Sequence, residues 1–273
     1  MFNLLSGEFY KVRKSGSFYV CCIILVSFLL LIYGAFKLAD AGEQENMENN
    51  PVQVVNTVES GSDSSDAGIL ILDVEQVMIR IILGIVTAVF ASIFVIGEYG
   101  NGAIKNITGK GYSREKIYLA KYLITIIAII IMFIITVIAT LLCGIIFYGM
   151  DGINAEFFKE LCQYAGIQLL LETAFIGVVV AIDEISRSKG VAVAVSLGLV
   201  MASDLVFVAI DAFLLYIKVD FRTSKYWITR LISECPVSGI DNEFVMRVIG
   251  SVVFWTIAAL AAGLIHFKKA DVK

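Results

Sequence analysis

Charge is scarce in this chain. Of its 273 residues, 17% are Asp, Glu, Lys or Arg, against roughly 25% in soluble domains. Histidine occurs once, at His266, which excludes a multi-histidine metal site within one chain. That lone residue reads as a packing or headgroup-level histidine. Cysteine occurs five times, so complete pairing is excluded. Cys21, Cys22 and Cys143 fall inside apolar runs and read as packing residues. Cys162 and Cys235 are the pair that could meet near one face, although nothing in the sequence supports a disulfide between them. The sequence contains no G-x-x-x-x-G-K-[ST], no H-E-x-x-H, no paired C-x-x-C and no G-x-S-x-G, the signatures of a P-loop, a zinc protease, a metal or redox site and a serine hydrolase. No polar segment is long enough for a nucleotide-binding domain. The chain therefore reads as a non-enzyme with no cofactor of its own and no nucleic-acid partner.

What is abundant is apolar length. Hydrophobic residues make up 59% of the chain and the mean hydropathy is +0.86. Six runs, at about 18–36, 77–97, 122–148, 162–182, 191–217 and 246–267, reach the roughly 18 residues or more that a bilayer crossing needs. The expected fold is an all-α integral membrane protein, multi-pass in the lipid bilayer of the plasma membrane. The first run lacks a small-x-small cleavage site and reads as a first span, not a removable signal. Residues 1–17 place Phe2, Leu5, Phe9 and Val12 at helical spacing, followed by Lys11, Arg13 and Lys14, a pattern that predicts an amphipathic interfacial helix. Residues 37–76 hold one Lys and nine acids and read as a solvated acidic outer loop, in which the Ile69–Leu72 run either lies on the outer membrane surface or extends the second helix outward. Arg80, at the outer end of the second span, can snorkel to headgroups. In residues 183–189, two acids precede Arg187 and Lys189, which predicts a tight inner turn. The aromatics and bases of 218–245 predict an interfacial outer segment. Gly190, Ala194, Gly198 and Ala202 recur every fourth residue, a spacing that admits close helix approach.

Between the second and third runs lies the longest basic interruption, residues 98–121, with Lys105, Lys110, Arg114, Lys116 and Lys121 against Glu98 and Glu115. Excess Lys and Arg in a short loop marks the cytoplasmic side. Six spans then place both termini on that side. Asn106-Ile107-Thr108 is a glycosylation sequon by letter only, because it faces inward.

This loop carries a resemblance. Glu98, Gly102, Ile104-Lys105-Asn106-Ile107, the glycines at 109 and 111, Ser113-Arg114 and Lys121 look like the first intracellular loop of ABC-2 type transporter permeases. The resemblance implies a type V exporter-like architecture, with six spans preceded by an interfacial helix. It implies that Glu98, Gly102, Ile104, Lys105, Asn106 and Arg114 belong to a loop coupling the chain to a separate ABC ATP-binding subunit. It also implies two copies of that subunit, ATP and Mg bound there, and a second permease subunit, identical or related.

Three further residues stand out because acids inside a span are costly, about 2.5–3.5 kcal/mol at mid-bilayer on insertion scales. Glu172, Asp204 and Asp211 are candidates for a translocation surface for an amphipathic, cationic or peptide-like substrate. The plainer account is interhelical hydrogen bonding, or boundary positions at span ends that lie elsewhere than expected. Two other functions remain open at this point: a proton-coupled secondary carrier using these carboxylates, and a non-transporting membrane sensor or anchor.

Overall fold

A backbone in hydrocarbon has no water to bond, so each long apolar run must close its own hydrogen-bond ladder. The computed structural model describes residues 2–49, 67–100, 112–186, 188–219 and 222–269. Among these, helix dominates and there is no strand. The helices are α1 (Phe2–Lys14), α2 (Gly16–Asn49), α3 (Ala67–Val77), α4 (Gly84–Gly100), α5 (Arg114–Tyr148), α6 (Ala155–Ser186), α7 (Lys189–Tyr216), α8 (Ile228–Glu234) and α9 (Asn242–Lys269). A π-helical stretch, Met78–Leu83, joins α3 to α4. Six of the resulting rods are long and apolar enough to cross a membrane.

The fourth rod is the hub. α6 packs against α9, α4, α5, α8 and α7, while α5 collects α1, α2 and α3. Burial is uneven. The most apolar windows of the second and fourth rods are 56% buried, that of the fifth is 11% and those of the first and sixth are 22%. The second and fourth rods therefore form the core, and the outer faces of the first, fifth and sixth are left to lipid or to another subunit.

At one end of the bundle the start of α5 meets the last turn of α9. There Arg114 at the start of α5 donates to the Lys268 carbonyl at 3.4 Å, and Lys268 pairs with Glu115 at 3.1 Å. At the other end, Lys37 donates to the Phe147 carbonyl at 2.5 Å, a cation on the last turn of α5 where the helix dipole favours it. Gly149 follows with φ +90, the positive angle that a terminating glycine supplies without a Cβ penalty, and its N–H returns to the Ile145 carbonyl at 3.0 Å. Asn154 then starts α6 by accepting the Phe157 N–H at 2.8 Å.

Several expectations need correcting. The second rod begins at Ala67, ten residues before the span onset at 77, so of the two readings open for Ile69–Leu72 the outward helix extension is the one observed and the tail of the acidic loop is helix. Ala67, Ile71, Leu72, Val74 and Glu75 are buried there, because apolar residues at helical spacing outweigh the acids between them. At its start, residues 37–49 continue α2. The predicted turn at 183–189 is also displaced: Asp183 and Glu184 are the last buried positions of α6. In α1 the packed positions are Leu4, Glu8 and Val12, a strict four-residue spacing, whereas Phe9 is exposed. The small residues Gly190, Ala194, Gly198 and Ala202 lie on an exposed face of α7. Close approaches occur instead at Gly144, Gly177 and Gly263, where an added Cβ would meet Ile71, Tyr122 and Tyr118 respectively.

Candidate functional site

Charge placed inside a bundle must find partners, because an unpaired buried ion costs far more than a surface one. Four acids on the second and fourth rods meet this requirement differently. Glu172 is 0% exposed and accepts from the Thr87 hydroxyl of α4 at 2.5 Å. Eleven residues on, three turns and the same helix face, Asp183 accepts from Ser92 of α4 at 3.1 Å and from Ser196 of α7 at 3.3 Å. The two serine hydroxyls bond each other at 2.7 Å, so one carboxylate joins three helices. Glu184 lies 3.9 Å from the ammonium of Lys121, with both side chains shut off from solvent. Lys121 also donates to the Val95 carbonyl at 3.4 Å.

Glu75 is the exception. It is buried at 0% exposure, and neither of its oxygens has a hydrogen-bond partner within normal geometry among the described residues. Thr140, Tyr33 and Tyr164 are its polar neighbours. No group of three or more metal-type ligands occurs among the described residues.

The predicted coupling residues fall as follows. Gly102, Ile104, Lys105 and Asn106 lie outside the described residues. Glu98 is in the last turn of α4 and Arg114 opens α5, so the loop between them leaves one core helix and returns into another. Lys121, expected among the loop's surface bases, is instead the buried tie: its ammonium touches the α4 backbone at Val95 and the α6 carboxylate at Glu184. Both legs of the loop are thereby fixed to one another and to the hub.

Asp204 and Asp211 do share a face of α7, and both bond the segment that follows it. Asp204 accepts from the Thr229 hydroxyl. Asp211 accepts from the N–H and the hydroxyl of Thr223, both at 2.6 Å, and from the Ser224 N–H at 3.1 Å. Trp227, next along, donates to Ser203 at 2.8 Å. These contacts fold residues 223–235 back onto the bundle, with Ile228, Leu231 and Ile232 buried and the Ile232 carbonyl accepting from Gln168 at 3.1 Å. Cys235 is buried, Cys162 is exposed, and both are free thiols. Burial pushes the Cys235 thiol up to about 12, with nearby Arg80 opposing the shift.

Asp183 and Glu184 were missed as core residues because acids at the end of an apolar run look like loop. Their register with Glu172 was the available signal.

Six apolar rods around a buried polar ladder define a multi-pass α-helical membrane protein. The chain belongs to the ABC-2 family transporter proteins, whose family model matches residues 4–203. The match runs from α1 through the basic loop and the ladder, and ends one residue before Asp204. It makes the chain a permease of an ABC transporter. No curated protein matches it.

Proposed function

We propose that the chain is the permease subunit of an ATP-driven exporter of an amphipathic or peptide-like molecule. Its family implies work with an ABC ATP-binding subunit. In the full reading two such subunits bind ATP and Mg, and a second permease, identical or related, completes the path. The chain sits in the plasma membrane with both termini and the 98–121 loop in the cytoplasm, the orientation that the loop's bases favour.

The observation that carries this reading is the Lys121 tie. A loop that transmits a push from a partner must move its helices as one body, since a slack base would absorb the displacement. Lys121 binds α5 to α4 and α6 at the loop's base. Force delivered at Gly102, Ile104, Lys105, Asn106 and Arg114, with Glu98 anchoring the loop to α4, would then reach the core helices directly. ATP hydrolysis on the partner supplies the energy.

The translocation surface in this proposal includes Asp204 and Asp211 on α7, the rod with the least buried window. The exposed stripe of Gly190, Ala194, Gly198 and Ala202 on the same rod gives the second permease a surface for close approach. Glu172 is closed in by helices in this state and would reach a path only when α4 and α6 part.

The test is affinity purification of the tagged chain from native membranes in mild detergent, with ATPase assay of the eluate. Co-purifying ATPase that is lost when residues 102–107 become a Gly-Ser linker supports the reading. A lone oligomer without ATPase sinks it.

A further inference from the structure

Beyond the transport cycle, the bundle holds a cavity of about 510 Å³ between α7, the 3-10 turn Ser224–Tyr226 and α9. That volume falls within the roughly 300–1,000 Å³ of small-molecule sites, which are mostly apolar with a few placed polar groups. Phe207, Tyr226, Phe254 and Trp255 form its walls, with Arg247 and Ser251 the polar groups used below. The walls are preset. Trp255 donates to the Tyr226 carbonyl at 3.0 Å, Phe207 stacks on Trp227 at 4.4 Å, and Trp227 meets Trp255 edge-on at 4.8 Å.

Two features ask for a ligand. Ser251 is 3% exposed and its hydroxyl has no hydrogen-bond partner, although it lines the cavity. Arg247 is only loosely engaged: it meets Glu243 at 3.3 Å, but that acid is 80% exposed, and such a pair is worth little. Arg222 and Lys225, both exposed, adjoin the cavity-lining Thr223 and Tyr226, so the rim is basic. The mouth is apolar. Met246 and Phe254 line the cavity and are 70% and 63% exposed; Met246 lies at the level of Arg247, and Phe254, two turns further along α9, meets hydrocarbon on a membrane rod.

We propose that this cavity holds an acyl chain of an anionic membrane lipid. The phosphate sits against Arg247. Ser251, one turn further into α9 and about 6 Å deeper, donates to an ester carbonyl, which in a phospholipid also lies deeper than the phosphate. The aromatic walls enclose the chain. Assignment to a lipid, as opposed to cargo, rests on the exposed apolar Phe254 in the lining, a side chain that on a membrane rod faces acyl chains.

The sequence supplies its own reporter. The protein has two tryptophans, Trp227 and Trp255, and both stand at this site. The experiment uses the full chain in nanodiscs of phosphatidylcholine carrying a fixed fraction of brominated phosphatidylglycerol or brominated phosphatidylcholine, with tryptophan quenching as readout. The anionic lipid should quench more, and saturably. Arg247→Gln should cut that preference about five-fold, the worth of one basic residue near an anionic surface. Gly250 lines the cavity, and a Cβ there would meet nothing within 4 Å. Gly250→Leu should therefore fill the space and abolish the preference while keeping the emission maximum. Equal quenching by the two lipids, or a preference that survives both substitutions, overturns the proposal. A preference that appears only with ATP and the ATP-binding subunit overturns it too, by making the ligand cargo; the lipid site itself requires neither.

Discussion

The ammonium of Lys121 and the carboxylate of Glu184 lie 3.9 Å apart, 1% and 0% exposed, at the base of the loop that leaves α4 and enters α5. Removing one member strands the other in the core, a loss of about 3–5 kcal/mol for buried pairs, whereas apolar replacement of both is often neutral. Lys121→Met should therefore lower the detergent melting temperature sharply, and Lys121→Met with Glu184→Leu should recover most of the loss. If the tie also transmits force, the double variant regains stability but not transport. Recovery of both would leave Lys121 with a packing role alone.

The rung between Thr87 and Glu172 separates a permease from a proton carrier. Glu172→Gln keeps an oxygen to accept the Thr87 hydroxyl, 2.5 Å away in the native chain, but cannot shuttle a proton. Transport by this variant should stay close to native, because the hydrogen bond from Thr87 is retained and no buried partner is left unsatisfied. Collapse of transport with a normal melting temperature would favour the carrier. Thr87→Val, which orphans the carboxylate, should cost about 1–3 kcal/mol of stability.

Glycines divide into two groups with opposite expected behaviour. A Cβ at Gly263 would lie 2.1 Å from the hydroxyl of buried Tyr118, so Gly263→Ala should destabilise the isolated chain by about 1–3 kcal/mol through overpacking. A Cβ at Gly198 would meet nothing within 4 Å, so Gly198→Leu should leave the monomer's melting temperature unchanged or raised. It should instead weaken association with the second permease, read by crosslinking in native membranes. Unaltered crosslinking would remove this stripe from the subunit interface.

Much of the fold was legible because a membrane span announces itself by length. The six rods and the α1 helix follow from apolar runs and spacing alone. What stayed hidden was the interior of the bundle. Glu75, Asp183 and Glu184 were assigned to loops, since hydropathy averages treat every acid as a break. The buried carboxylates of Asp183 and Glu184 are tolerated because partners from distant helices meet them, and Ser92, Ser196 and Lys121 lie 91, 13 and 63 positions away from their acids. Periodicity along one helix cannot show such pairing. The same limit applies to Asp204 and Asp211: their shared face was readable, but their bonds to Thr229 and Thr223 were not.

Thiol chemistry offers an independent check on the α8 region. Cys162 is exposed and Cys235 is buried. With its thiol held up near 12, Cys235 has almost no thiolate at pH 8, and thiolate is the reactive form. Maleimide should label Cys162 within minutes and reach Cys235 only after denaturation. The linkage has a definite sign. An unfolded thiol ionises near about 8.5, while the folded one stays protonated to about 12. Its contribution to stability is therefore complete below the first value and declines between the two. Native protein should lose more melting temperature from pH 8 to pH 10 than Cys235→Ala does.

Asp211 decides between two roles for the fifth rod's acids. It receives three hydrogen bonds from Thr223 and Ser224, which hold the start of the segment that carries α8. Asp211→Ala should raise amide hydrogen exchange across 222–230 and leave exchange in α6 unchanged, because Gln168 secures the far end through Ile232. Asp211→Asn keeps one acceptor oxygen and should restore part of the protection. If transport falls in step with exchange across both variants, Asp211 acts by positioning the segment. If Asp211→Asn restores protection yet transport stays low, the charge itself meets the substrate, and the translocation surface includes this end of α7.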